Sequence, residues 1–190
     1  MVHNQDNYKG EEAAGRVAAG SDNIILTGMP GVGKSTVGVI LAKMLGYRFL
    51  DSDLLIQERE GMLLREIIAK VGADGFIEVE NRHNASINTE RTVIATGGSA
   101  VYGQQAMEHF REIGTIVYLK TAFDVIEQRL LDIRGRGVVL KPGQNLASIY
   151  EERVPLYEQY ADITVDVTTL DIEHTIQILH EKLGFLNSNH

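Results

Sequence analysis

Five short apolar runs punctuate the chain: Ile24 to Thr27, Tyr47 to Leu50, Thr92 to Ala95, Thr115 to Leu119 and Ile163 to Val167. Each is shorter than a helix needs to bury one face, so all five read as strands. Between them lie longer stretches whose apolar residues recur every three or four positions, the period of an amphipathic helix. Strands alternating with helices imply parallel strands joined by crossover helices. The expected fold class is therefore α/β, three layers with a five-stranded parallel sheet flanked by helices. Ligands of such sheets bind beyond the carboxyl ends of the strands, so the turns after the apolar runs are where chemistry belongs.

Two segments stand outside this pattern. Met1 to Asp22 is polar, with Gly10, Gly15 and Gly20 among Ala and Glu, and reads as a poorly ordered extension before a single domain over residues 23–190. Asp132 to Gly143 holds Gly135, Gly137, Pro142 and Gly143 around Arg134 and Arg136, the composition of a mobile cationic lid.

Composition then removes whole classes of chemistry. With 190 residues, 44% hydrophobic and 23% charged, the chain is one ordinary globular domain with enough apolar surface for a core. The absence of cysteine excludes a disulfide framework, a thiolate zinc site and a cysteine nucleophile, and is compatible with a cytoplasmic location. Eighteen Lys and Arg against 26 Asp and Glu leave a net charge of −8, which argues against a nucleic-acid or polybasic membrane surface but allows a local phosphate pocket. Runs such as Ile113 to Leu119 fall far short of the ~20 residues of a membrane helix. Asp6, Glu11 and Glu12 argue against a transit peptide. The expected partner is a small molecule. The oligomeric state is open, with a monomer the favoured expectation.

The strongest motif follows the first strand. Gly28-Met29-Pro30-Gly31-Val32-Gly33-Lys34-Ser35 fits G-x-x-x-x-G-K-[ST] and opens the helical stretch Lys34 to Leu45. The glycines let successive backbone N–H groups turn inward around phosphate oxygens, and the helix N-terminus adds a field that favours anions. Lys34 can then reach the β and γ phosphates, and the Ser35 hydroxyl can ligate Mg²⁺. No Asp-x-x-Gly follows a central strand and no Asn-Lys-x-Asp occurs, which excludes a guanine-nucleotide switch. Instead the second strand runs into Asp51-Ser52-Asp53. One acid there can hold the hydration shell of Mg²⁺ and the other can accept a proton from an attacking hydroxyl. The alternative for Asp53 is a cap on a helix starting at Leu54.

Taken together, these stretches resemble the shikimate kinase family, within the nucleoside-monophosphate-kinase-like group of phosphate-loop folds. The resemblance spans Asn23 to Leu183 and rests on Gly28 to Thr36, Asp51-Ser52-Asp53, the Gly97-Gly98 turn, Arg129 and Arg136, and Arg153-Val154-Pro155-Leu156-Tyr157. It implies ATP and Mg²⁺, with the loop including Gly31, Val32, Gly33 and Thr36 holding the nucleotide and Asp51 organising the metal with Ser35. It also implies that Asp53 binds and activates the acceptor hydroxyl, that Gly97 and Gly98 present N–H groups to the acceptor, and that Arg153 pairs with its carboxylate. Glu80 would support that pocket, Arg136 would close over the phosphates, and Arg129 would lie beside adenine. Plainer alternatives stand beside these: a solvated side chain for Arg153, a simple strand-to-helix turn at Gly97-Gly98, and an exposed charge at Arg136.

The chain departs from the family pattern in three places. Ile77 stands where members carry an Arg after the residue matching Phe76, a second grip on the acceptor's carboxylate. Ser99 replaces the third glycine of the turn. Arg136-Gly137-Val138-Val139 replaces Arg-Pro-Leu-Leu in the lid. Arg82 lies about 140° from Ile77 around a helix and is a poor substitute. The expected function is ATP-dependent transfer of the γ-phosphoryl group to an alcohol of a small acid, shikimate first. A gluconate or other polyol kinase and a non-catalytic nucleotide-binding module are the alternatives.

Overall fold

The computed structural model describes residues 22–132, 141 and 143–184. Five parallel strands, β1 (Asn23–Thr27), β2 (Arg48–Asp51), β3 (Thr92–Ala95), β4 (Gly114–Lys120) and β5 (Ile163–Asp166), form one sheet in the order β2-β3-β1-β4-β5. The helices are α1 (Lys34–Leu45), α2 (Ser52–Glu60), α3 (Leu64–Ala85), α4 (Gln104–Ile113), α5 (Phe123–Asp132), α6 (Leu146–Tyr160) and α7 (Ile172–Gly184), with a 3₁₀ turn at Ala100–Tyr102. Every strand lies within one residue of its apolar run, and α1 has the bounds expected. At β2 the shift has a plain cause. The Tyr47 N–H closes the end of α1 on Ala42 O at 2.8 Å, so pairing with β3 begins at Arg48.

Alternation along β1 builds the two faces of the sheet. Ile24 and Leu26 join Val37, Leu41 and Leu179 in the larger core, while Ile25 points the other way, with Ile94, Ile116 and Phe110. The chain leaves β1, reaches the edge at β2, returns beside β1 as β3, and then crosses to β4 on the other side. That reversal opens a crevice at the carboxyl ends of β1 and β3. A smaller core of Ile56, Ile67, Phe76 and Val79 joins α2 to α3. Helix α3 is interrupted at Gly72 (φ 74°, ψ 178°), between a first part starting at Leu64 and a second part carrying Phe76 and Glu80. Apart from Asp22, the expected extension lies outside the described residues. So does most of the expected lid, including Arg134, Arg136, Gly137, Val138 and Val139.

Candidate active site

The phosphate loop begins where β1 ends. Gly28 has φ 141°, and a Cβ there would lie 2.7 Å from Leu119 O, so the close pass between the β1 exit and β4 admits no side chain. Lys34, only 8% exposed, donates from Nζ to Gly28 O at 2.7 Å and Met29 O at 2.9 Å. Burial lowers its pKa to about 8, with Asp53 pulling the other way.

Ser35 Oγ donates to Asp51 Oδ2 at 2.8 Å. The other oxygen, Asp51 Oδ1, accepts the N–H groups of Asp53 at 3.0 Å and Leu54 at 3.3 Å. Helix α2 therefore starts at Ser52 with Asp51 as its cap, and the alternative of Asp53 capping a helix from Leu54 is overturned. Asp51 has the extended backbone of a cap (φ −98°, ψ 118°), whereas Asp53 already sits in the first helical turn, with its carboxylate left to the cavity. A hydroxyl beside a carboxylate suits Mg²⁺, which takes few protein oxygens and keeps several waters. No cluster of three His, Cys, Asp or Glu able to hold a metal occurs among the described residues.

The half expected to take the acceptor is built from β3, α3 and α6. Tyr157 donates from its hydroxyl to Gly98 O at 2.5 Å and stacks on Tyr118 with ring centroids 5.1 Å apart, pinning α6 to the turn after β3. Arg153 lies one turn earlier on the same helical face. It is 1% exposed, donates from Nε to Tyr102 Oη at 3.2 Å, and lies over the Tyr102 ring at 5.2 Å. A solvated Arg153 is thus overturned by its burial.

The Gly97-Gly98 turn is equally constrained. A Cβ on Gly97 would overlap Glu80 Oε1 and lie 2.7 Å from Asp53 Oδ1, and one on Gly98 would lie 2.6 Å from Pro30 Cγ. A side chain at Gly98 would have to displace the Pro30 ring, and one at Gly97 would have to displace both carboxylates. Ser99, the third residue of the turn, has an ordinary backbone (φ −94°, ψ −6°) that accepts a Cβ. Its Oγ donates to Glu80 Oε2 at 2.5 Å.

Glu80 is 1% exposed and its Oε1 has no hydrogen-bond partner among the described residues. Burial, reinforced by Asp53, raises its pKa to about 8, although Ser99 and Arg153 work against the rise. Glu80 is therefore mostly protonated at neutral pH. A carboxyl whose folded pKa exceeds the usual 4.5 contributes stability that is lost as pH rises from there through about 8. Glu80→Gln is expected to remain neutral and to keep the Ser99 contact. Thermal melts from pH 5 to 9 should show the variant gaining on wild type as pH increases; a constant difference would refute the buried-acid account.

Two cavities join these parts. One, of about 550 Å³, is lined by Lys34, Ser35, Thr36, Asp51 and Asp53 at one end and by Gly97, Gly98, Ser99 and Arg153 at the other. The second, of about 220 Å³, lies between Gly31, Val32, Gly33 and Thr36 of the loop and a wall including Arg129 and Ile172. Arg129 donates from Nη1 to Val32 O at 3.2 Å, fixing its guanidinium against the loop. An apolar slot with a planar cation suits a purine base. Gly28 and Glu80 line neither cavity: Gly28 shapes the loop, and Glu80 lies behind Gly97. Arg136 lies outside the described residues.

Several wall residues were not legible beforehand. Leu54, Gln57, Leu63, Leu64, Arg65 and Ile68 line the larger cavity, and Leu170, Asp171, Ile172 and Thr175 the smaller. The signal that could have found them is an apolar residue shortly beyond a strand end, such as Leu54 and Ile172, which the structure leaves 63% and 46% exposed. Ile77, half-buried, is on neither wall, and Arg82 is held on the surface by Glu60 at 3.0 Å.

Comparison with known proteins points to one family. The family model described as shikimate kinase matches residues 30–183. A shikimate kinase from Thiobacillus denitrificans is 35% identical over 168 residues, 87% of this chain and 92% of its own length. Shikimate kinase 2 of Yersinia enterocolitica is 32% identical over 169 residues, 84% of this chain and 95% of its own. The structure of shikimate kinase from Acinetobacter baumannii in complex with shikimate superposes with a TM-score of 0.77 at 32% identity, covering 88% of this chain and 96% of that one.

Proposed function

The chain belongs to the shikimate kinase family, and from that premise we propose that it transfers the γ-phosphoryl group of ATP to a hydroxyl of shikimate. It is an ATP-dependent small-molecule kinase. The observation that carries the choice of acceptor is the larger cavity, in which Lys34 and Ser35 share one space with Asp53 and the buried Arg153. A phosphate-binding end thus meets an end suited to an alcohol bearing an acid.

In this reading the loop from Gly28 to Thr36 wraps the phosphates, and the slot between Arg129 and Ile172 takes the base. Asp53 accepts the proton of the acceptor hydroxyl as its oxygen bonds to the γ-phosphorus and the bond to the β-bridging oxygen breaks, releasing ADP. Burial and the Asp51 charge raise the Asp53 pKa to about 6, so it is mostly ionised at neutral pH yet basic enough to take a proton. Lys34 meets the negative charge that spreads over the transferring group. Arg153 orients the acceptor through its carboxylate, and the Gly97 and Gly98 N–H groups border it. Ser35 and Asp51 would hold Mg²⁺, which when bound neutralises phosphate charge.

The test is an ADP-release screen with Mg²⁺ and shikimate, gluconate, other polyols, homoserine and nucleoside monophosphates. ADP release is expected with shikimate and should disappear on removing Mg²⁺ with chelator. Efficient turnover of another alcohol, with none of shikimate, would retain the kinase and remove this acceptor. Nucleotide binding without turnover of any acceptor would make the protein a binding module.

A further inference from the structure

We propose that Arg65 is a second cation for the acceptor's carboxylate, standing in for the contact that Ile77 cannot make; the proposal rests on the acceptor reading above and deepens it. Arg65 lies in the first turn of α3 and lines the larger cavity together with Leu64 and Ile68. Positions 64, 65 and 68 fall on one side of a helix, so three neighbouring side chains of that side line the cavity and not Arg65 alone.

Among the described residues Arg65 makes no hydrogen bond or ion pair, and the acid beside it is engaged elsewhere: Glu66 Oε2 accepts the Leu63 N–H at 2.9 Å. Two other cations of this half are committed, and Lys70, on the same part of α3, does not line the cavity. Arg82 pairs with Glu60 at 3.0 Å, and Lys141 with Asp74 at 2.7 Å. Lys34 sits at the phosphate end, on the loop carbonyls. Among the described residues, Arg65 and Arg153 are thus the two guanidinium groups lining this cavity, one exposed and one buried.

A planar carboxylate is well matched by guanidinium donors, and two of them from different helices would fix its orientation as well as its position. Arg65 is exposed, so solvent screens its contact more than that of Arg153. The site therefore divides the task between a buried anchor on α6 and an accessible clamp on α3. The acid contact made elsewhere in the family from the residue after Phe76 is here moved to the other part of α3, across the break at Gly72.

The experiment compares wild type, Arg65→Ala and Arg65→Lys with shikimate and with its neutral carboxamide. Arg65→Ala is expected to raise the KM for shikimate about 10-fold while leaving kcat and the KM for ATP within about 2-fold. Arg65→Lys should recover part of that loss, and the carboxamide should be indifferent to either change. Equal KM for shikimate in wild type and Arg65→Ala, or a rise shared equally by the carboxamide, overturns the assignment of Arg65 and leaves the kinase reading intact. If the acid phosphorylated by wild type is gluconate, the same comparison is read on gluconate and on its neutral lactone-derived amide. A wild type that phosphorylates no acid overturns the acceptor reading and this proposal together.

Discussion

Lys34→Ala should lower kcat/KM at least about 10²-fold, the scale on which removing one donor to a developing transition-state charge costs an enzyme 2.7 kcal/mol or more. The loss follows from where the ammonium sits. It is buried, close to Asp53 and Arg153, in a cavity where charge is poorly screened, so no water replaces it at equal strength. The fold should survive. Burial holds the Lys34 pKa at about 8, below its ordinary 10.5, so the protonated group costs folding free energy in full below pH 8 and progressively less as pH rises toward 10.5. Alanine removes that cost together with the two carbonyl contacts. Melting temperature should therefore change little at pH 7 while activity collapses, as read by thermal unfolding beside ADP release. An alanine variant within 10-fold of wild type would take Lys34 out of the phosphoryl-transfer machinery.

Asp53→Asn should lower turnover by about 10² or more, because the amide cannot take the acceptor's proton. The structure sharpens this test, since the cap of α2 belongs to Asp51 and stays in place. Stability should not fall. The folded pKa of about 6 lies above the ordinary 3.8, so the native carboxylate costs stability as pH climbs through that window, and the cost is full above pH 6. Asn avoids it, and the variant should melt at the same temperature as wild type or higher at pH 7.5. The acid limb of kcat/KM, expected near pH 6 in wild type, should vanish from the residual activity. Near-normal turnover, or an unchanged acid limb, would leave Asp53 as a binding group without a role as base.

How much of this was legible beforehand depended on how local each constraint is. The phosphate loop was readable because its chemistry needs contiguous residues: glycines at a turn, a lysine and a serine at a helix start. The central strands β1, β3 and β4 were readable because both of their faces are buried, which leaves runs such as Ile24 to Leu26 without polar residues. Asp51 and Asp53 were harder. Both capping and proton transfer suit an aspartate after a strand, and the choice turned on a helix starting two residues earlier than expected. Ser99 read as an intrusion into a glycine turn. Packing made it a partner for Glu80, nineteen residues away in sequence and buried behind Gly97.

By itself, then, the order of residues determined the α/β class, the strand positions, the phosphate loop and the family, since each follows from periodicity or from a short contiguous pattern. Tertiary structure decided the rest of the acceptor half. It buried Arg153 by packing α6 against the turn after β3, turned Ile77 away from the cavity wall, and brought Arg65 onto it. The last two outcomes depend on how α3 breaks at Gly72 and packs on α2. Contacts between elements far apart in the chain leave no period or motif along it, because what selects them is the shape of the shared space that the folded elements enclose.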